Sequence, residues 1–189
     1  MKKLLLTICA ISFAMLVHAQ GHMSFKGVSM GRDLTSFVAE LTAKGYNKEL
    51  LQDNGAVLSG GFAGKDDCTI VVLCTSHSKL VWKVMVRFPK RTSWSSLKSE
   101  YNSFKESYTE KYGSPKSYEF FTNPYYEGDG YELQALELEK CTYASFFSTP
   151  QGHICLEISK KKDVVVSYED EINTNIKSVE KNKVVSNDI

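Results

Sequence analysis

The sequence predicts an α+β fold: two helix-plus-antiparallel-strands repeats forming a meander sheet with helices on one face, plus a C-terminal helix. Three observations predict it. Two segments, near 33–45 and 93–113, repeat apolar residues at helical spacing. Each is followed by short runs rich in β-branched and aromatic residues, separated by turn formers. A third helical spacing closes the chain.

The elements follow in order. Asp33 supplies an oxygen that can cap free backbone N–H groups at a helix start. Leu34, Phe37, Val38 and Leu41 then share one face, and Gly45 suits the left-handed stop. Strands are expected at 56–63, 68–75 and 80–88. Gly60-Gly61 marks a bulge in the first. The second is apolar on both faces and so central. In the third, Leu80, Trp82, Val84, Val86 and Phe88 form one face, and Lys83 and Arg87 the other, which meets water or a partner.

A second helix starts near Ser93 and carries Trp94, Leu97, Tyr101, Phe104 and Tyr108 at spacings of three and four. That stripe reads as core packing rather than a ligand box. Gly113 and Pro115 end it. Strands are expected at 118–121, 131–138, 142–147, 153–158 and 164–168. Ser167 and Asp170 can cap a last helix with Ile172, Ile176 and Val179 on its buried side, fraying from Lys181. Blocks 33–88 and 93–168 read as an internal duplication within one domain, 20–189.

The first residues, MKKLLLTICAISFAMLVHAQ, have a basic start, a fourteen-residue apolar run and a small residue before Gln20. This is the pattern of a cleaved secretory signal over 1–19, and the run is shorter than the ~20 residues that span a bilayer. Cys9 lies inside the apolar run, after Ile8 rather than a small residue, which argues against lipid attachment. The exported chain would be periplasmic or secreted, without a transmembrane segment.

Export removes Lys2 and Lys3, so basic residues fall from 23 to 21 against 22 acidic and the net charge becomes −1. Phosphate backbones and anionic membranes need clustered positive charge. Lys160-Lys161-Lys162 is the one basic run and reads as a solvated turn, so nucleic acid is not an expected partner.

Cys68 and Cys74 lie in one strand, about 20 Å apart, beyond the ~7 Å reach of a disulfide. A turn at Pro150-Gln151-Gly152 would place Cys155 opposite 146–148, not opposite Cys141. The four read as buried thiols, with cross-pairs between the halves left open.

Gly27-Val28-Ser29-Met30-Gly31 fits G-x-S-x-G, but a nucleophile elbow needs a strand to end and a helix to begin at the serine. Here the helix starts several residues later. His22, His77 and His153 show no metal-ligand spacing, and no cofactor or metal is expected.

The stretch 120–132, FFTNPYYEGDGYE, is the main functional candidate. As an EF-hand loop it would place Tyr125 and Leu136 where two essential oxygen ligands belong. As a strand connection it gathers aromatic and acidic side chains. Phe121, Tyr125, Tyr126, Glu127, Asp129 and Tyr131 are the candidate binding residues, because tyrosine combines apolar area with a hydrogen-bonding tip.

The segments His22-Met23-Ser24-Phe25-Lys26-Gly27-Val28, 33–46, Phe62-Ala63-Gly64, Asp67-Cys68-Thr69 and 118–132 resemble small exported proteins of Bacteroides-type bacteria. The resemblance covers most of the mature chain and implies no catalytic residues. The repeat layout is similar to the β-lactamase-inhibitor-protein fold, whose concave sheet binds a partner protein. The expectation is therefore a non-enzymatic exported module that binds protein or another envelope component. The alternatives are a small hydrolase using Ser29 or the Glu127, Asp129 and Glu132 acids, and a structural or assembly factor of the envelope.

Overall fold

The structure is a computed structural model, and it describes residues 21–188. The expected signal segment lies outside the described residues. The chain starts as a small hairpin, β1 (Ser24–Phe25) and β2 (Val28–Ser29). Its two turn residues, Lys26 and Gly27, both have positive φ, 51° and 75°, the type I′ geometry that matches strand twist. Helix α1 (Leu34–Ala43) follows, with Asp33 accepting the Ser36 N–H at 3.0 Å as its cap.

Strands β3 (Asn47–Gln52), β4 (Gly55–Phe62), β5 (Lys65–Cys74) and β6 (Val81–Arg87) form an antiparallel meander. Helix α2 (Trp94–Tyr112) is capped by Ser93, and β7 (Lys116–Phe121) follows it. A short helix, α3 (Glu132–Glu137), then leads into β8 (Cys141–Thr149), β9 (Gly152–Ser159) and β10 (Asp163–Asp170). Helix α4 (Glu171–Asp188) ends the described chain.

The eight strands from β3 on make one sheet in the order β3-β4-β5-β6-β10-β9-β8-β7. Each half is a helix followed by a four-strand meander, and the last strands of the halves pair at the centre, with Val86 opposite Val166. The fold is thus the duplicated α+β arrangement that the spacing predicts.

Helices α1 and α2 cover one face. Beneath them lie Leu58, Ile70, Val72, Val84, Val86, Leu156 and Val166, all fully buried. At ~25 cal/mol per Å² of apolar area, this layer dominates the favourable side of folding. Alternation turns the other residues to the opposite face. There Lys83 meets Glu169 at 2.6 Å and Arg87 meets Asp163 at 2.7 Å, so the two basic residues of β6 pair across the central seam.

Four expectations need correction. Residues 131–138 form α3 and its flanks, not a strand. The register slips between Leu73 and Cys74, which puts Val81 rather than Trp82 on the buried face. Trp82 instead lies under Lys177 of α4, whose amine is 3.4 Å from the ring centroid. Helix α4 runs on to Asp188 rather than fraying at Lys181. Its deepest residue is Asn173, while Val179 is exposed. The reason is what α4 docks on. Asn173 Nδ2 donates to the Met30 and Val81 carbonyls, both at 2.8 Å, so the helix binds backbone oxygens at strand ends rather than an apolar sheet.

Candidate functional site

The aromatic loop begins where β7 ends. Strand β7 pairs with β8 without interruption, from Lys116 opposite Phe146 to Phe121 opposite Cys141. Two adjacent residues of a strand cannot share a face. Phe121 takes the helix-covered face, 5.4 Å from the Trp94 ring and 6.2 Å from Tyr143. Phe120 therefore turns outward and stays 50% exposed, beside Tyr118. The residues of β7 divide as one buried anchor and an exposed aromatic pair.

Beyond β7 the Thr122 N–H donates to the Lys140 carbonyl at 2.8 Å, and the Tyr125 N–H donates to Thr122 at 3.2 Å. The Asn123–Pro124 peptide is cis. Tyr125 is partly buried and packs against the core. Glu127 points back to α2, where it accepts from Lys98 and from Trp94 Nε1 at 3.5 Å, and it also accepts from the Tyr143 hydroxyl of β8 at 3.3 Å. The Lys98 ammonium holds its carboxyl below the usual carboxylate range. Glu127 clamps the loop to the helix.

Asp129 fixes the loop tip. One carboxylate oxygen accepts the Tyr126 N–H at 3.0 Å, and the other accepts the Tyr131 N–H at 2.7 Å. Gly128 N–H donates to Glu132 at 2.9 Å, while Gly128 and Gly130 take φ of 89° and 78°, a region open to glycine. The result is a tied backbone with two tyrosines in water, Tyr126 65% and Tyr131 61% exposed. They border a groove of 400 Å³ together with Pro124, Tyr125, Asp129 and Gln134.

Of the six candidate residues, Tyr126, Asp129, Tyr131 and part of Tyr125 line this groove. Phe121 and Glu127 lie behind it, as anchors. Sequence reasoning missed Tyr118, Phe120 and Phe146 on the open face. Tyr118 and Phe146 pack edge to face at 6.0 Å. Alternation within KSYEFF carries the signal, once Phe121 is assigned to the core.

The catalytic alternatives meet a different geometry. Ser29 is exposed on β2, and its hydroxyl accepts the Gly31 N–H at 3.2 Å. Gly31 has a packing reason: a Cβ there would come within 2.4 Å of the His22 ring. Gly27 serves the hairpin turn. G-x-S-x-G is therefore explained by a hairpin and a close ring contact. His22 bonds the buried Asp170 through Nδ1 at 3.1 Å, not Ser29. The acids Glu127, Asp129 and Glu132 are each engaged by Lys98 or by backbone N–H groups. Among the described residues, no three His, Cys, Asp or Glu side chains gather as a metal-ligand set. No described helix is long and apolar enough to cross a membrane.

Compared with family models, curated proteins and solved structures, the chain matches none of them.

Proposed function

We propose that the protein is an exported, non-enzymatic binding module that engages a protein partner in the periplasm or outside the cell. One observation carries the reading. Asp129 ties both ends of the loop tip through the Tyr126 and Tyr131 amides, while both tyrosine rings stay in water. A backbone held by hydrogen bonds has already lost its conformational freedom, so a partner need not order it on binding. Tyrosine is the side chain that profits most, with large apolar area and few rotors. The likeness to exported Bacteroides-type proteins belongs to the same proposal, as does the envelope as its place of action.

The test is capture from envelope extract and culture fluid with chemical cross-linking. Wild type is compared with Tyr126→Ala/Tyr131→Ala, after confirming equal melting curves. Both rings are exposed, so the double variant should fold normally. The expected result is specific partners that the variant loses. Identical partner sets would refute the loop's role.

A further inference from the structure

We propose that two copies of this chain join edge to edge through β7, with Tyr118 facing Tyr118 of the second copy, to make one sheet that runs through both molecules. The inference goes beyond the loop reading and stands on different residues.

The sheet is open and ends in two edge strands, β3 and β7. An edge presents unpaired backbone N–H and C=O groups, and proteins usually blunt it with bulges, prolines or charges. Strand β3 is blunted, since its register slips between Lys48 and Leu50. Strand β7 lacks two of these devices: its six residues pair with β8 in unbroken register and it contains no proline, while its charges, Lys116 and Glu119, each have a contact on their own chain. Two aromatic rings, Tyr118 and Phe120, stand on its open face, with Phe146 of β8 beside them. Such an edge is a template for another strand.

The side chains select the occupant and the register. A twofold axis perpendicular to the sheet keeps each face continuous, so residues opposite each other must share a face. Three such registers exist near the middle of β7. With Ser117 opposite itself, only residues 116–118 of each strand overlap. With Glu119 opposite itself, two carboxylates meet. With Tyr118 opposite itself, residues 116–120 overlap and no like charges face each other. Lys116 then stands opposite Phe120, and Ser117 opposite Glu119. Lys116 already lies against an aromatic ring, 5.3 Å from the Tyr118 centroid, so the same amine can meet a ring across the seam. Off the axis, Glu119 keeps its partners on its own chain: Lys105 pairs with it at 2.6 Å and the Tyr101 hydroxyl donates to it at 3.0 Å. Glu119 thus enters the joint with its charge paired, and Lys116 enters it against a ring. The strand is its own complement, and that commits the occupant to a second copy.

The test is sedimentation of purified protein from about 1 µM to about 1 mM, spanning ordinary self-association. Wild type should pass from monomer to dimer. Tyr118→Lys puts two ammonium groups opposite each other and should weaken dimerisation at least about tenfold, with Phe120→Lys as a second variant. Both sites are exposed, and circular dichroism melts verify folding. Mild oxidation of single cysteine variants reads the register. Tyr118→Cys should cross-link to itself, because directly opposite Cβ atoms lie about 4.5–5.5 Å apart. Ser117→Cys and Glu119→Cys should cross-link with each other and not with themselves. Wild type that stays monomeric at every concentration overturns the proposal, as does a dimer indifferent to Tyr118→Lys and Phe120→Lys. Tyr126→Ala/Tyr131→Ala leaves β7 intact and should dimerise like wild type, so failure here and failure of partner capture remain distinct results.

Discussion

Asp170 holds Met23: the Met23 backbone N–H donates to Asp170 Oδ2 at 2.7 Å, across 147 positions of sequence. The other oxygen accepts Asn173 N–H at 2.9 Å and lies 3.1 Å from His22 Nδ1. One buried carboxylate thus caps α4 and fastens the N-terminal hairpin to it. Asp170→Ala removes both functions and strands buried donors. Charge-assisted bonds contribute about 1.5–3 kcal/mol each, and an orphaned buried donor costs about as much again. The expected loss is about 3 kcal/mol or more in urea unfolding, with faster amide exchange across 23–30. A loss below about 1 kcal/mol would contradict this account.

Tyr108 on α2 and Tyr168 on β10 share a hydrogen bond between their hydroxyls beneath the helix layer. Burial pushes the Tyr108 phenol up to about 12 and raises that of Tyr168 well above its ordinary value. A phenol whose folded pKa exceeds its unfolded value near 10 contributes stability that is complete below 10. That stability fades as pH rises from about 10 toward 12. Unfolding midpoints should fall over this window, and by less in Tyr108→Phe/Tyr168→Phe. At neutral pH, Tyr108→Phe alone leaves a partnerless hydroxyl and should cost about 1–2 kcal/mol. The double variant should cost less than the two single changes together, measured as a thermodynamic cycle.

Asp129 predicts a local rather than a global effect. The residue is half-buried and its carboxylate ties only the loop tip. Asp129→Ala should lower overall stability by about 1 kcal/mol or less. Amide exchange at Tyr126 and Tyr131 should nonetheless accelerate strongly, and partner capture should weaken although both rings remain. Unchanged exchange at these two amides would show that the tip is held by something else.

Helices α1 and α2 were legible because caps and apolar spacing agree in each: Asp33 with Leu34, Phe37, Val38 and Leu41, and Ser93 with its aromatic stripe. Strand β5 was legible because both its faces are apolar over 70–73, and β6 because Val84 and Val86 alternate with Lys83 and Arg87. Strand β3 was not, since an edge strand with every residue exposed need not alternate. Nor was α3, whose six residues are too short to show a helical period and whose start at Tyr131 has no side-chain cap. At the site, composition located the loop. It could not tell Phe120 from Phe121, or a free acid from Glu127 clamped by Lys98, because both distinctions depend on register and on a partner 29 positions away.

The cysteines offer a sharp chemical check. Cys68, Cys74 and Cys141 are buried and Cys155 is half-buried, all as free thiols. Cys155 lies opposite Phe146, as the turn at Gly152 requires. Burial pushes the Cys141 and Cys155 thiols up to about 12 each, and raises those of Cys68 and Cys74 above their ordinary value. The thiolate is the reactive form, so at pH 8 a group near 12 is ionised in about one molecule in ten thousand. A thiol reagent should therefore modify the native protein far more slowly than an unfolded control, in which all four react at ordinary rates. Mass spectrometry of partly labelled native protein should find all four slow, because Cys155, the one that is half-buried, is also one of the two whose thiols are pushed highest. Rapid native labelling of Cys141 would mean that its surroundings open, and that the β8 end of the loop is looser than the hydrogen bond from Thr122 to Lys140 implies.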